Sequence, residues 1–512
     1  MIIRDMDVQQ VVQAIARAMA GAPAPLRCVS DHRRVQQGDI CFAIPGQRFD
    51  PRTCLAEIAA RQPGAIIAAA EGFTPDMAAA AHNCSCAIYL LSNLSAHAGQ
   101  MAADLLFQDA PLPRLVAVTG TNGKTSVTRW IAQAMSHLDE RCAVVGTLGA
   151  GFVDEALEYT GLTTPDAVSL HNAIASVSRE GARAVALEAS SIGLDQGRLS
   201  GCRFSVAAFT NLSRDHLDYH GSMQSYEQAK QKLFAWPTLN RAVINMDDPA
   251  AERFCAVAER AGVPVIRVTA SEKGIKAYAG TQTLAVAGTC TGDGSSIQLR
   301  WQNEQCDVQV PVVGQFNLEN IAVVAGVLLA CGYDLPSVAQ ALAVLTPPPG
   351  RMQMIAAHGK PLVVVDYAHT PDALEKVLTA LRPVSQARSG KLLALFGCGG
   401  DRDPGKRPLM GAVAQRLADV VFVTSDNPRS ESPATIIQAI VAGMPQGAVP
   451  VIIEDRAQAI AKAIAQSDVR DVVLLAGKGH ETGQIVGDSV LPFSDIEQTL
   501  KVFDALVTGG QA

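Results

Sequence analysis

An α/β fold of three domains is predicted by three observations. Short β-branched runs alternate with Ala-rich helical stretches nearly throughout the chain, the pattern of parallel sheets covered by helices. The 512 residues exceed what one compact core organises and suggest about three units of roughly 150 residues each. Two Pro-rich interruptions, DAPLPR at 109–114 and TPPPGR at 346–351, can continue neither a helix nor a central strand. The expected units are therefore residues 1–110, 111–346 and 347–512.

Taken in order, the first unit holds a turn-rich stretch, SDHRRVQQGDICFAIPGQRFD, and the alternation AEIAARQPGAIIAAAEG, which read as a small α/β domain. In the second, RLVAVTGTNGKTSVTRWIAQAM passes from strand through a Gly-containing loop to an amphipathic helix, and strands recur at Ala184–Glu188, Ser205–Phe209 and Ala242–Asn245. The stretch Leu212–Gly221 reads as a loop entering a helix near Met223. The third unit offers five buried strands, Leu362–Val365, Leu392–Phe396, Val420–Thr424, Val449–Ile453 and Val472–Leu475, separated by helical stretches. A Rossmann-like doubly wound sheet follows.

Composition narrows the function classes. With 48% hydrophobic and 18% charged residues the chain can bury enough surface to fold, which excludes disorder as its main state. A formal charge of −7 without a basic block argues against a nucleic-acid partner. The N-terminal MIIRDMDVQQ lacks the apolar stretch of a secretory signal, and the longest apolar run, around Ile321–Ala330, falls short of the ~20 residues that span a bilayer. A cytoplasmic protein without a membrane partner is expected. The 12 cysteines lie mostly in apolar surroundings, as reduced thiols do, and Cys84 and Cys86 lack a second pair at zinc-site spacing.

The strongest local signal is GTNGKTS at 120–126. Glycines turn backbone N–H groups toward phosphate oxygens, Lys124 supplies a point charge, and the hydroxyl of Thr125 or Ser126 can ligate Mg²⁺. The P-loop consensus would place another Gly where this chain has Val118, and a phosphate loop alone does not separate ATPases, GTPases, kinases and ligases. Glu188 ends a strand and precedes Ser190 and Ser191, so its carboxylate could hold a hard cation. The stretch TNLSRDHLDYHGSMQSYEQAKQKLF concentrates Asn211, Asp215, His216, Asp218, His220 and Lys230. His216 and His220 would share a helix face as a zinc pair only if that stretch were helical.

GTNGKTS, TTPD at 163–166, EASS at 188–191, TNLSRDHLDYHG and YEQAK resemble the ATP-dependent Mur ligases, which build the peptide of bacterial peptidoglycan. GQFNLEN, PPGRMQ, DYAHTPDAL, GCGGDRDPGKRPLM, DNPRSE and GKGHE follow in the same order, covering most of the chain beyond residue 110. DNPR and GKGHE resemble in particular the branch that adds meso-diaminopimelate to UDP-N-acetylmuramoyl-L-alanyl-D-glutamate. The resemblance implies that ATP phosphorylates the D-glutamate carboxylate and that an amine captures the acyl phosphate. Both steps gather negative charge on oxygen, which cations and N–H donors would stabilise.

Carried onto this sequence, the resemblance implies that Gly120, Thr121, Asn122, Gly123, Lys124, Thr125 and Ser126 cradle the ATP phosphates, and that Asn317, Arg351 and Asp366 contact the nucleotide across a domain junction. Thr125, Glu188 and His216 would bind Mg²⁺ together with Lys230 as a CO₂-derived carbamate, making Lys124, Lys230 and His216 the catalytic set. Thr163, Thr164, Ser190, Gln196 and Arg198 would hold the UDP-muramoyl dipeptide, with Asp31 and Gln47 on its uridine side. Where relatives carry Asp-Ser-Arg this chain has Asp31-His32-Arg33, and Ile192 stands where a His is common. Arg402, Asp426, Asn427, Pro428, Arg429, Gly477 and Glu481 would surround diaminopimelate, Arg429 meeting the carboxylate that lysine lacks. His369 is expected to be structural or on the nucleotide side. A monomer is expected. The alternatives are a ligase adding L-lysine to the same precursor or glutamate to folate, and a GTPase-type switch, against which the chain lacks an NKxD motif.

Overall fold

The computed structural model describes the chain except for residues 1, 5, 22–25, 47–48, 82–83, 109–111, 278–282, 291–293, 313 and 509–512. Three successive stretches of the chain each build one large sheet, with crossovers in the strand order of each. The first has five parallel strands, Ile2–Ile3, Ala87–Leu91, Ala65–Ala69, Ile40–Ala43 and Cys28–Val29 from edge to edge. Its continuous apolar strands are buried on both faces, as a helix-covered parallel sheet requires.

The second sheet has ten strands. Its parallel centre runs Val265–Thr269, Arg241–Asn245, Phe204–Phe209, Arg114–Thr119, Ala184–Glu188 and Cys142–Gly146. One edge closes with the antiparallel Gly149–Phe152. The other continues through Thr283–Cys290, parallel to its neighbour, into the antiparallel strands Ser295–Trp301 and Glu304–Val310. The sequence reading did not anticipate this meander, whose outer strand alternates polar and apolar residues on a half-exposed edge. Helix Lys124–His137 buries Val127, Trp130, Ile131, Ala134 and Met135, spaced to form one face. It packs on helix Gln315–Ala330, which is apolar on nearly every side and buried accordingly. The Trp130 indole N–H donates to the Thr346 carbonyl at 2.9 Å, which fastens the chain just before the Pro run. Burying such a side chain contributes about 1.5–3 kcal/mol.

The third sheet places Gln353–Ile355 antiparallel at one edge, followed by the parallel strands Leu362–Asp366, Val472–Ala476, Leu392–Phe396, Val420–Val423 and Val451–Ile452. All five expected strands are present, but the one expected as buried at Val449–Ile453 is reduced to Val451–Ile452 and is largely exposed. Because Val472–Ala476 lies between two earlier strands, the order reverses there. The carboxyl ends of such strands open onto a crevice. A short hairpin, Gly483–Val486 with Ser489–Pro492, stands beside it.

Candidate active site

The carboxyl ends of the second and third sheets face each other, and the loops that leave them meet. From strand Arg114–Thr119 the chain turns through Gly120 (φ 153°) and Gly123 (φ 88°) into helix Lys124–His137. A side chain at Gly120 would collide with Thr210, and one at Gly123 with Asn320. The Lys124 ammonium folds back to donate to the Gly120 and Thr121 carbonyls, both at 2.9 Å, and burial lowers its pKa. Asn211 braces the loop, accepting from the Asn122 N–H at 2.9 Å and donating to the Asn122 carbonyl at 3.1 Å.

Lys230, on helix Met223–Gln231, is 1% exposed. Its Nζ donates to the Gly120 carbonyl at 2.8 Å and lies 4.5 Å from the centre of the Tyr226 ring. Burial and the neighbouring Lys124 charge drive its pKa well below the usual lysine value. Glu188 is 2% exposed. Its oxygens accept from the Thr147 N–H and hydroxyl at 2.9 and 3.1 Å, with no ion-pair partner within 4 Å among the described residues. His216 sits at φ 53° ahead of a four-residue helix, Leu217–His220, within the stretch read as a loop. Its Nε2 lies 3.5 Å from the Asp215 carboxylate, and burial carries its pKa down to about 4. Burial opposes ionisation of Asp215, yet His369 and His216 hold that carboxyl well below its ordinary range. His216 and His220 form no metal cluster with other donors among the described residues.

The expected nucleotide contacts gather around a cavity of about 430 Å³ lined by Asn122, Gly123, Ser126, Asn317, Arg351 and Asp366. The Arg351 guanidinium lies 4.4 Å from the centre of the Tyr367 ring and donates to the Thr125 hydroxyl at 3.3 Å. Asp366 accepts from the Met352 and Ala368 N–H groups at 2.7 and 2.8 Å, so it shapes the turn after the Pro run. Glu319 lines the same cavity and escaped the sequence reading. Burial lifts its carboxyl to about 7.

A second cavity of about 130 Å³ brings Asp215, His216 and Asp218 together with Arg402, Asp426, Asn427, Arg429, Gly477 and Glu481. His369, expected to be structural or on the nucleotide side, also lines it, 3.8 Å from Asp215. Arg429 (φ 51°) donates to the Gly400 carbonyl at 2.8 Å, and Pro428 precedes it in the same turn. Arg402 lies 3.9 Å from Asp218. At Gly477 (φ 113°) a Cβ would stand 2.5 Å from Asp426. Sequence reasoning missed Lys478, which is fully buried and donates to Asn427 Oδ1 and Glu481 Oε2, both at 3.0 Å. Its place inside GKGHE was the available signal.

Thr163, Thr164, Ser190, Gln196 and Arg198 form a network that reaches Glu188. Thr163 meets Thr147 at 3.0 Å, and the Thr164 hydroxyl donates to the Glu188 carbonyl at 2.7 Å and to Ser190 Oγ at 2.9 Å. Thr164 is 1% exposed and Ser190 caps Gly193, so both hydroxyls are spent inside the fold rather than offered to a ligand. Arg198 donates to Gln196 Oε1 at 2.9 and 2.6 Å and to the Thr164 carbonyl at 2.8 Å. Asp31 is likewise occupied, capping His32–Arg34 and accepting from the Arg33 side chain at 2.9 Å. Gln47 lies outside the described residues.

Two family models match, the Mur ligase middle domain over residues 118–328 and the Mur ligase glutamate ligase domain over 350–479. The chain is 47% identical over 484 residues to the UDP-N-acetylmuramoyl-L-alanyl-D-glutamate–2,6-diaminopimelate ligase of Ralstonia nicotianae, covering 93% of each chain. It is 45% identical over 475 residues to the protein of that name from Pseudomonas aeruginosa, covering 93% of this chain and 94% of that one. A solved structure of such a diaminopimelate ligase superposes with a TM-score of 0.63 at 36% identity, covering 94% of this chain and 95% of the other. The two matched domains account for most of the chain, and the relatives run nearly its full length: the chain belongs to the Mur ligase family.

Proposed function

We propose that this chain is an ATP-dependent ligase that adds 2,6-diaminopimelate to UDP-N-acetylmuramoyl-L-alanyl-D-glutamate in peptidoglycan precursor synthesis. The observation that carries the reading is the second cavity, where groups suited to phosphoryl chemistry share one space with a pair of arginines and an anchored carboxylate. A D-glutamate carboxylate oxygen attacks the γ-phosphorus, and the bond to the β,γ-bridging oxygen breaks with its electron pair leaving on ADP. The amine nitrogen then attacks the acyl carbon. The acyl C–O bond breaks, phosphate leaves, and the nitrogen gives up a proton.

Within that reaction the loop 120–126 holds the ATP phosphates, and Asn317, Arg351 and Asp366 bound the nucleotide cavity. Glu188, a buried carboxylate with neutral partners, suits a divalent cation, and Mg²⁺ would be held by Thr125, Glu188, His216 and Lys230 as its carbamate. Bound there, it would neutralise charge on the phosphoryl oxygens. As an ammonium Lys230 would repel a cation, so its role as ligand requires the carbamate. Thr163, Gln196 and Arg198 border the dipeptide, Thr164 and Ser190 shape that wall, and Asp31 and Gln47 belong to the uridine end. Arg429 and Arg402 take the distal carboxylate of diaminopimelate, while Asp426, Asn427 and Glu481 take its amine and Pro428 and Gly477 shape the turn.

This reading assigns residues 1–110 to the UDP substrate, 111–346 to ATP and catalysis, and 347–512 to the amino acid. We infer a monomer as the active form. Both nucleotide substrates are soluble and no described helix is long and apolar enough to cross a membrane, which supports action in the cytoplasm. The test offers ATP, the UDP-muramoyl dipeptide and an equimolar mixture of diaminopimelate, L-lysine and L-glutamate, and identifies the product by mass. The diaminopimelate adduct is expected to dominate. A lysine adduct would reassign the specificity, and no adduct with any amine would overturn the reading.

A further inference from the structure

The sequence GGDRDPGKR crosses the second cavity, and all but one of its cationic side chains are partnered. Arg402 faces Asp218 at 3.9 Å, and Arg407 donates to Glu431 at 2.8 Å. Lys406 is the exception. It opens helix Lys406–Leu417, is 6% exposed, lines the 130 Å³ cavity, and has no hydrogen bond or ion pair within 4 Å among the described residues. An ammonium that lines a cavity and makes no hydrogen bond there is available to an anion from outside the chain. The start of this twelve-residue helix adds its dipole to that charge, although the Gly405 and Arg407 N–H groups are already bonded to Asp403 and to the Pro404 carbonyl.

Two anions could enter this cavity, the carboxylate of the incoming amino acid and the phosphoryl group. The carboxylate already has Arg402 and Arg429. Lys406 exerts its charge on Asp403 and, across the cavity, on Asp215, the neighbour of His216 at the phosphoryl side. Its helix is also fixed to that side. Arg214 donates to both oxygens of Asp403 at 2.9 and 3.2 Å, and Asp403 accepts from the Gly405 N–H at 2.8 Å.

We propose that Lys406 is a further catalytic residue, whose ammonium donates to a phosphoryl oxygen of the acyl phosphate and of the departing phosphate, and which the Arg214–Asp403 pair positions. Lys406 keeps its proton throughout, so it stabilises charge and transfers nothing. The inference rests on the ligase reading.

The test compares Lys406→Gln and Lys406→Arg with the unsubstituted chain. In Lys406→Gln, kcat should fall about 100-fold, the loss typical of removing one oxyanion donor, while KM for diaminopimelate changes less than about threefold. Lys406→Arg should recover part of the loss. Calorimetric titration of inorganic phosphate into the ADP complex should show about tenfold weaker binding in Lys406→Gln. Unchanged ATP affinity and melting temperature would establish that the variant folds; if it does not, the Lys406→Arg pair of measurements decides. A raised KM for diaminopimelate with kcat intact would overturn the assignment in favour of the carboxylate, and unchanged kcat and phosphate affinity would overturn it outright. Failure of the unsubstituted chain to form any amide would instead sink the ligase reading, so the two failures are separable.

Discussion

The carbonyl of Gly120 receives two ammonium groups, the half-buried Lys124 at 2.9 Å and the buried Lys230 at 2.8 Å. Two like charges on one acceptor in a poorly solvated site repel, and the burden falls on Lys230, whose pKa burial and Lys124 depress. A lysine easily made neutral can attack CO₂. Its nitrogen bonds to the carbon, a proton leaves, and the repelling cation becomes an anionic oxygen donor. Lys230→Ala should abolish amide synthesis while leaving the melting temperature within a few degrees, and formate or acetate should restore part of the rate. Full activity without either would remove the carbamate. The residue types here were legible because chemistry fixes them: a phosphate loop needs Gly, Lys and hydroxyls in order. Their commitments were not legible. Thr164 and Asp31 look free in sequence, and only the fold reveals that each is consumed by a neighbour, Glu188 O in one case and Arg33 in the other.

Among the secondary-structure elements, the parallel strands of the second and third sheets could be read from their apolar runs because both faces are buried. The strands at 295–301 and 304–310 alternate, and the second is the edge strand, so their signal merges with that of an exposed loop. A second device hidden from sequence joins two helices. Arg456, opening helix Arg456–Ala465, donates to both oxygens of Asp495 at 2.8 and 2.7 Å, and to the carbonyl of Ala476 at 3.0 Å. Both side chains are fully buried, and Ala476 ends the strand that leads into Gly477. Removing one member leaves the other charged and unpaired, so Arg456→Ala should cost about 3–5 kcal/mol in urea denaturation. Replacing both, Arg456→Met with Asp495→Leu, should recover most of it. A loss below about 1 kcal/mol in the single variant would mean that water or another group compensates the carboxylate.

At the scale of the whole molecule, chemistry requires that the sheets stay aligned, because the phosphoryl side hangs on the second and the amino-acid side on the third. The first sheet reaches the second through Ser30 with Ser169, the Cys28 N–H with Asn172, and Arg179 with the Leu26 carbonyl. Between the second and third run Asn122 to Asp372 at 3.0 Å, Arg351 to Thr125, and the forked Arg214–Asp403 pair. Arg214 is about half exposed although Asp403 is 8% exposed, so solvent screens the pair from the arginine side and Arg214→Ala should cost only about 0–1 kcal/mol in folding. Its position gives it a larger effect on catalysis. Arg214 adjoins Asp215 and His216, and Asp403 adjoins Arg402 and the turn into Lys406, so the pair sets the register between the two halves of the 130 Å³ cavity. Arg214→Ala should leave the urea midpoint nearly unchanged, and Arg214→Ala and Asp403→Ala should each lower kcat/KM for diaminopimelate by about tenfold or more. The double variant should be little worse than either single one, giving a coupling of about 1–2 kcal/mol in the activation free energy. Independent, additive losses would show that the two side chains act separately and that alignment rests on the other junction contacts.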